Sequence, residues 1–273
     1  MHDRDCADLL AEVLPTLGLR VEGYRRVRAI VRKRLGRRLN ELRLPDRAAY
    51  RAYLDEHPDE WAVLAGLCLI PVSRFYRDTD VFEHIAQDVL PRLARDAVAQ
   101  GAEQVRVLSA GCASGEEAYS IAIAWRLGAA APLAPPRLET IGVDASPTMI
   151  SRARLGCYPR GSFKELPHDW ATAALVNGDD GGLCIRTEIR EGVRFVQGDL
   201  RTELPEGPFD LILCRNSAFT YFDLATQRVF LERLCDSLRV FGVLVIGHKE
   251  ELPGKPERLV PVDARRRIFE RCS

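Results

Sequence analysis

A glycine-containing turn at residues 109–117, with the sequence SAGCASGEE, is the stretch best suited to holding a ligand. Gly111 and Gly115 let a ligand approach the backbone closely, and the helix that starts beyond them offers unpaired N–H groups. The turn lacks the middle glycine of a G-x-G-x-x-G motif, and Glu116 and Glu117 stand where a pyrophosphate would bind. Two carboxylates there favour a cation over a phosphate. S-adenosylmethionine (SAM), with its ammonium and sulfonium groups, therefore fits better than NAD, and a tight turn without a ligand is the alternative.

Three further polar residues follow apolar runs, at positions where open α/β sheets bind ligands. Asp144 can accept hydrogen bonds from both hydroxyls of a ribose, and Asp199 stands where an adenine amino group can bind. Arg215 can hold a substrate carboxylate with two parallel hydrogen bonds, or it can form a salt bridge with an acidic neighbour. Each aspartate alone is typical of a strand-end cap or turn, but the glycine turn, Asp144 and Asp199 are three features at successive strand ends and favour a binding site.

Short apolar runs bounded by Gly or Asp precede these residues, and helical patterns separate the runs. The runs lie at residues 105–108, 138–143, 193–196, 209–213 and 243–246, with weaker candidates at 259–262 and 267–269. The helical patterns lie at residues 81–99, 116–127, 146–155 and 223–238. This alternation predicts an α/β fold with a doubly wound, mostly parallel sheet that binds ligands at the carboxyl ends of its strands.

The first eighty residues show helical patterns instead, at 6–14, 21–39, 48–54 and 61–69. We therefore expect a small, Arg-rich, all-helical domain at residues 1–78 and the ligand-binding domain at residues 79–273. Residues 157–192 interrupt the alternation of strands and helices. They contain a helical pattern at 170–176 and a Gly/Asp turn at 178–182. They predict an inserted subdomain.

Composition limits the class of protein. The chain has 273 residues, 47% hydrophobic and 29% charged, with 39 basic and 39 acidic side chains, which excludes disorder and a strongly basic polyanion binder. No apolar stretch approaches the ~20 residues of a membrane helix, and the first residues lack an apolar signal-peptide core, so we expect a cytoplasmic location. The eight cysteines form no C-x-x-C pair, and we expect most of them to be reduced core thiols. Neither they nor the five histidines show metal-binding spacing.

Four segments, in order along the chain, resemble motifs of the CheR family of chemotaxis-receptor glutamate methyltransferases. The family patterns are T-N-x-T-x-F-F-R, A-G-C-S-T-G-E-E-P-Y-S-I-A, C-R-N-V-x-I-Y-F-D and G-H-S-E. The corresponding segments are IPVSRFYR at 70–77, AGCASGEEAYSIA at 110–122, CRN at 214–216 with YFD at 221–223, and GHKE at 247–250. The resemblance covers most of the chain, and the second motif is matched over nearly its full length.

The resemblance implies a class I methyltransferase that moves a methyl group from SAM to a glutamate carboxylate and leaves S-adenosylhomocysteine (SAH). Arg77, Arg215 and Tyr221 would be the catalytic residues that face the acceptor. The residues implied for donor binding are Ser73, Arg77, Gly111, Gly115, Glu116, Asp144, Asp199, Leu200 and Asn216. A carboxylate is already ionised at neutral pH, so the reaction needs alignment of nucleophile, methyl carbon and sulfur and no general base.

Four features depart from the family patterns. In the first motif Pro71 replaces the asparagine and Ser73 replaces the threonine, although Ser73 keeps the hydroxyl. Lys249 replaces the serine of G-H-S-E, and the spacing between Arg215 and Tyr221 is one residue longer. Two alternatives therefore stay open. One is a CheR-like methyltransferase with a different acceptor, either a small molecule or another protein, and the other is a module that binds SAM or SAH without catalysis.

The segment from residue 20 to 43 carries ten basic residues and two acidic ones. Its Arg-rich part, residues 21–39, can bind an acidic helical protein substrate such as a chemoreceptor-like signalling protein. A solvated helix face paired with neighbouring acids is the alternative. Nucleic acid is a less favoured partner because the segment has no interleaved aromatic residues to stack on bases, and no N-P-P-Y-type motif follows the fourth strand.

Overall fold

The computed structural model describes residues 2–128 and 136–272. The chain divides into two compact units, one formed by Met1–Ile70 with Thr220–Gln227 and the other by Pro71–Phe219 with Arg228–Ser273. The boundary predicted from the sequence, between residues 78 and 79, is a boundary between domains. The division into compact units does not test it, so it stays a prediction.

The first unit is helical. Its helices are α1 (Asp3–Val13), α2 (Val21–Tyr24), α3 (Arg28–Leu42), α4 (Arg47–Glu56) and α5 (Glu60–Cys68), with a 3-10 turn at Pro15–Leu17. Their apolar faces meet in a core that includes Leu9, Val31, Leu35, Tyr50 and Leu64. Burial of these side chains is the main stabilising contribution to the unit.

The helix predicted over residues 21–39 is divided between α2 and α3, and Gly23 lies beside the division. A Cβ atom on Gly23 would overlap the carbonyl oxygen of Thr220, in the segment that completes this unit. The backbone N–H of Arg20 donates a 2.9 Å hydrogen bond to the carbonyl of Tyr221. The chain therefore turns where it packs against a segment about two hundred residues away, which local periodicity does not record.

Within residues 71–128 and 136–272, the second unit has seven strands in one sheet and three in another. The strands are β1 (Gln104–Ala110), β2 (Arg137–Asp144), β3 (Cys157–Tyr158), β4 (Leu175–Asn177), β5 (Leu183–Ile185), β6 (Val193–Gln197), β7 (Phe209–Cys214), β8 (Leu238–Ile246), β9 (Leu259–Asp263) and β10 (Ile268–Arg271). The large sheet has the order β6-β2-β1-β7-β8-β10-β9, with β10 antiparallel to its two neighbours and the other pairs parallel. This arrangement confirms the predicted doubly wound, mostly parallel fold.

The second unit has helices before and between its strands, and each helical pattern predicted in this part of the sequence overlaps one of them. They are α6 (Thr79–His84), α7 (Leu90–Ala99), α8 (Glu116–Leu127), α9 (Pro147–Leu155), α10 (His168–Ala174), α11 (Thr187–Arg190), α12 (Ala218–Tyr221) and α13 (Leu224–Ser237), the last two shared with the first unit. The helix predicted over 81–99 is interrupted by a wider π turn at Ile85–Val89. Pro91 follows at the start of α7 and has no N–H for an intrahelical hydrogen bond, which accounts for the altered turn.

The segment after α9 forms the small antiparallel sheet, with the order β3-β5-β4. A disulfide between Cys157 and Cys184 joins β3 to β5, a pairing that the sequence analysis did not anticipate. The helix predicted over 170–176 ends at Ala174, and β4 begins at Leu175. Five other cysteines are buried free thiols, as expected for core residues, and Cys272 is free and exposed.

The strands of the large sheet are almost completely buried in their middle, where Val107, Leu108, Leu211 and Ile212 have no exposed surface. Such burial on both faces is typical of parallel sheets covered by helices. Among the described residues, no helix is long and apolar enough to cross a membrane. The carboxyl ends of β1, β2, β6 and β7 meet at one edge of the sheet, where the site lies.

Candidate active site

Residues 111–115, which we call the glycine loop, connect β1 to α8. Gly111 and Gly115 have positive φ angles of 81° and 91°. A Cβ on Gly111 would lie 2.6 Å from the Cβ of Ser217, and a Cβ on Gly115 would lie 2.7 Å from the ring of Phe195. Both the backbone angles and the close contacts therefore require glycine, and they fix the path of the loop at the end of the sheet.

Asp144 ties the end of β2 to the glycine loop. One carboxylate oxygen accepts a 2.9 Å hydrogen bond from the backbone N–H of Ala113, and the other accepts one of 2.9 Å from Ser146. Burial raises the pKa of Asp144, and these two hydrogen bonds oppose the shift. Each oxygen has a further lone pair, so the carboxylate can still accept the hydroxyls of a ribose.

Glu116 is buried beside the glycine loop, with 4% of its surface exposed. Its carboxylate accepts hydrogen bonds of 2.8 and 3.0 Å from the hydroxyl of Ser114, and the hydroxyl of Ser73 lies beside it. Burial raises the pKa of Glu116 above its usual value. The structure thus brings together Ser73 and Glu116, and a cationic ligand group beside them would stabilise the ionised carboxylate.

Arg215 lies at the end of β7 with its side chain 2% exposed. Its guanidinium donates to Asp78 at 2.6 Å, to the carbonyl of Arg77 at 2.9 Å and to Glu117 at 3.3 Å. Burial raises the pKa of Glu117, and the charge of Arg215 opposes that shift. Of the two roles that the sequence allowed for Arg215, these contacts correspond to internal ion pairing. Within the described residues its Nε is buried without a hydrogen-bond partner, and its role toward a substrate carboxylate stays a prediction.

Asn216 has a positive φ of 55°, a conformation held by Glu250. One carboxylate oxygen of Glu250 accepts hydrogen bonds from the backbone N–H of Asn216 at 2.8 Å and of Gly247 at 2.6 Å. Glu250 is the last residue of the GHKE segment at 247–250, and its structural role is visible only in this contact. It fixes the loop after β7 against the loop after β8.

Asp199 is engaged by a neighbour. Its carboxylate accepts hydrogen bonds from the guanidinium of Arg201, the shortest being 2.6 Å. Burial raises the pKa of Asp199, but the hydrogen bonds and charge of Arg201 outweigh burial and hold the pKa below its usual value. An adenine amino group would share this carboxylate with Arg201. Leu200 is buried and lies near Gly111, at the base of the glycine loop.

The two remaining predicted residues lie in different units. Arg77 belongs to the second unit and donates a 3.1 Å hydrogen bond to the carbonyl of Val72. Tyr221 belongs to the first unit, where its ring packs on that of Tyr24 with centroids 5.1 Å apart.

Tyr158 contributes to the site without having been identified from the sequence. Its hydroxyl donates a 2.6 Å hydrogen bond to the carbonyl of Ser114 in the glycine loop, and its ring is buried. Tyr158 lies in β3, which belongs to the inserted segment, so only the three-dimensional structure reveals the contact. Its position beside a cysteine in the sequence gives no signal of such a role.

The described residues are not arranged for metal binding or for thiol chemistry. Among residues 2–128 and 136–272, no group of three or more His, Cys, Asp or Glu side chains is arranged to hold a metal ion. Burial raises the pKa of the Cys112 thiol well above its usual value, so Cys112 is a packing residue of the glycine loop.

The strand order, the glycine loop after β1 and the carboxylate after β2 together define a class I SAM-dependent methyltransferase fold. The family model for "CheR methyltransferase, SAM binding domain" matches residues 71–268. The chain therefore belongs to the CheR family of SAM-dependent methyltransferases, which confirms the resemblance inferred from the motifs. It also confirms SAM as the cofactor.

Individual relatives are similar over different shares of their length. A chemotaxis protein methyltransferase of Listeria innocua is 33% identical over 187 residues, 68% of each chain. The corresponding protein of Salmonella typhimurium is 32% identical over 231 residues, 82% of this chain and 76% of its own. An uncharacterized 104.1 kDa protein of Rhodobacter capsulatus is 32% identical over 88% of this chain, which spans only 25% of that protein.

Proposed function

We propose that this protein transfers a methyl group from SAM to glutamate side chains of a chemoreceptor-like signalling protein, in the cytoplasm. The observation that carries the proposal is the similarity to chemotaxis protein methyltransferases over 82% of the chain, at 32% identity. The carboxylate-rich donor site supports it, because Glu116 and Asp144 offer partners to a cationic nucleoside. Methylation of the carboxylates would be the chain's contribution to signal transduction.

On the donor side, SAM supplies a methyl group on a positively charged sulfur when it is bound. We assign the ammonium and sulfonium end to Glu116 and Ser73, and the ribose to Asp144. The glycines of the loop allow close approach of the ligand to the backbone. The residues assigned to the rest of the donor site are Arg77, Asp199, Leu200 and Asn216.

On the acceptor side, a glutamate carboxylate is ionised at neutral pH and attacks the methyl carbon without a general base. We assign Arg77 and Tyr221 to orienting this carboxylate. Arg215 acts through Arg77, because its guanidinium holds the carbonyl of Arg77 and the carboxylate of Asp78. Arg215 thereby positions Arg77 in this proposal, and its predicted place facing the acceptor is kept as part of the proposal.

The Arg-rich residues 21–39, which we call the basic segment, supply a surface for an acidic partner. Several of its arginines already serve the fold: Arg28 pairs with Asp3 at 2.5 Å, and Arg38 pairs with the buried Glu60 at 2.6 Å. The exposed basic residues nearby are Arg25, Arg26, Lys33 and Arg37. Within the described residues, Arg26 and Lys33 have no ion-pair partner, and the exposed pairs of Arg25 and Arg37 are long, at 3.9 and 3.7 Å. These four side chains can attract an acidic helix.

The experiment uses SAM with a tritiated methyl group and an acidic coiled-coil fragment of a chemoreceptor. We expect base-labile label on the fragment that is released as methanol, and none on a fragment whose candidate glutamates are changed to glutamine. Absence of base-labile label on the glutamate fragment would overturn the proposed acceptor. Label on an unrelated small molecule or protein would support the alternative acceptor instead. Fractionation of the native cells checks the cytoplasmic location.

A further inference from the structure

The inserted segment is attached to the glycine loop by Tyr158. The ring of Tyr158 packs edge to face against Phe75, with centroids 4.9 Å apart, and against Phe163 and Tyr119. Its hydroxyl donates the 2.6 Å hydrogen bond to the carbonyl of Ser114. Because Ser114 also donates to Glu116, Tyr158 acts on the donor site through one intervening residue.

The inserted segment is also attached to the residues before α6. The backbone N–H of Phe75 donates a 3.2 Å hydrogen bond to the carbonyl of Ser162, and Arg74 pairs with Glu165 at 3.1 Å. Farther along the insertion, Trp170 packs edge to face on Tyr76, with centroids 5.6 Å apart. The insertion therefore contacts both segments that supply the donor site, one containing Ser73 and the other Glu116.

Strand β3, which carries Tyr158, is joined to the small sheet over a very short length. Strand β3 has two residues, and its two register pairs with β5 are Cys157 with Cys184 and Tyr158 with Leu183. Sheets of this size are at best marginally stable by hydrogen bonding alone. The disulfide between Cys157 and Cys184 fastens β3 at the residue before Tyr158. Cys157 is exposed and Cys184 half-buried, so thiols in solution can reach the bond.

We propose that Cys157 and Cys184 are a site of reversible thiol–disulfide exchange that sets the affinity of the glycine loop for SAM and SAH. A dithiol reductant attacks one sulfur as a thiolate and forms a mixed disulfide, and its second thiol then displaces the protein sulfur. Two electrons pass to the cysteine pair, each cysteine sulfur takes up a proton, and the reductant leaves as a disulfide. This regulation rests on donor binding in the proposed function, and it is independent of the acceptor.

Reduction weakens donor binding in this account because β3 is released. Without the covalent link, Tyr158 spends less time bonded to Ser114, and the glycine loop loses part of its fixed conformation. A ligand must then order the loop when it binds, which lowers affinity. We expect an affinity for SAH about tenfold lower in the reduced protein, the size of effect typical of one lost hydrogen bond.

The test uses the full chain with Cys272→Ser, because Cys272 is exposed and can form disulfides between molecules. Alkylation of the denatured protein with mass spectrometry should count two more free thiols after treatment with dithiothreitol. Calorimetric titration with SAH then compares the two forms. A tenfold difference is expected; equal affinities with the thiol count changed, or a protein with no disulfide after air oxidation, would overturn the proposal.

Variants distinguish an effect of the disulfide on SAH affinity from a general loss of structure. Cys184→Ser should bind SAH as the reduced protein does, with or without dithiothreitol. Tyr158→Phe keeps the ring but removes the hydroxyl, and it should abolish the difference between oxidised and reduced forms. Fluorescence of Trp170 should change on reduction, and the change should disappear in Trp170→Phe.

A failure of donor binding itself is distinguishable. If neither form bound SAH, the proposed function would fail. Hydrogen exchange of the amides at 111–116 would still show whether the disulfide controls the conformation of the glycine loop. Faster exchange of these amides after reduction supports the proposal, and equal exchange overturns it.

Discussion

Arg215 and Asp78 form a 2.6 Å ion pair in which the arginine side chain is 2% exposed. Glu117 binds the same guanidinium, so one cation connects the end of β7, the start of α8 and the turn before α6. The carbonyl of Arg77 accepts from the same nitrogen as Asp78. The guanidinium of Arg215 therefore both stabilises the second unit and positions Arg77.

Replacement of Arg215 by alanine leaves the mostly buried carboxylate of Glu117 and the partly exposed carboxylate of Asp78 without their cation. We expect Arg215→Ala to lower the free energy of unfolding by about 3 kcal/mol or more, measured by urea denaturation. Arg258→Ala, which breaks the exposed pair with Asp236, should cost less than about 1 kcal/mol. Similar losses in the two variants would contradict the structural importance of the buried pair. Arg215→Lys, if it folds, should lower kcat for methyl transfer more than it changes affinity for SAH.

Glu116→Gln should stabilise the protein without ligand while weakening donor binding. A carboxyl group whose pKa is higher in the folded than in the unfolded protein contributes stability at low pH, and that contribution is lost as the pH rises through the folded pKa. Burial raises the pKa of Glu116, so near neutral pH its charge opposes folding, and a neutral amide removes that cost. We expect a rise in Tm of about 1–3 °C, for an effect of roughly 1 kcal/mol. The exposed control Glu232→Gln should leave Tm unchanged, and a lower Tm for Glu116→Gln would refute the argument.

Affinity for SAH should fall as the solution becomes acidic. The pKa of Glu116 lies above the usual 4.5 because of burial, so the carboxylate takes up a proton at a higher pH than an exposed glutamate does. Protonation removes its attraction for the ligand ammonium, and the loss approaches about tenfold per pH unit below the raised pKa. Calorimetric titration of SAH from pH 8 to pH 5 measures this dependence. In Glu116→Gln the curve should be flatter, and an equally steep curve would assign the effect to another group such as Asp144.

Charge reversal in the basic segment should weaken binding of the acceptor and leave the donor site intact. Arg26→Glu combined with Lys33→Glu should raise KM for an acidic receptor fragment several-fold, because two exposed cations without ion-pair partners become anions. The effect should shrink at high salt, whereas affinity for SAH stays the same. Arg228→Glu, an exposed reversal on α13, is the matched control. If Arg228→Glu raised KM by the same factor, the acidic fragment would not bind specifically at the basic segment.

Arg38 lies in the same basic segment, but its contacts stabilise the fold. It binds Glu60 and holds the pKa of that carboxyl below its usual value, with Tyr50 as a second hydrogen-bond donor. A carboxyl group with a depressed pKa contributes stability above its unfolded pKa and loses it as the pH falls through the folded pKa. Arg38→Ala should therefore destabilise the first unit near neutral pH, with the difference from wild type shrinking in acid. Urea denaturation at several pH values measures this, and a loss that stayed constant in acid would contradict it.

The large sheet was predictable because parallel strands buried on both faces are continuous apolar runs. Each of the predicted runs, from 105–108 to 267–269, overlaps a strand. The positions of Asp144 and Arg215 at strand ends followed from the same runs, since carboxyl ends of parallel strands share one edge.

The partners of these residues were not predictable from local sequence. Asp78 lies 137 positions from Arg215, and no periodicity connects them. Cys157 and Cys184 are 27 residues apart, in strands too short to show alternation. The contact of Tyr158 with the glycine loop likewise depends on how the inserted segment folds back.

Asp144 tests the central claim most directly, because it fixes the glycine loop and is assigned to the ribose. Calorimetric titration with SAM and SAH should be run on the wild type, on Asp144→Ala and on Asp236→Ala, which changes an exposed aspartate on α13 near the opposite edge of the sheet. We expect binding by the wild type and by Asp236→Ala, and a loss of about a hundredfold or more in Asp144→Ala. Absence of binding by the wild type, or unchanged affinity in Asp144→Ala, would contradict the donor site described for this protein.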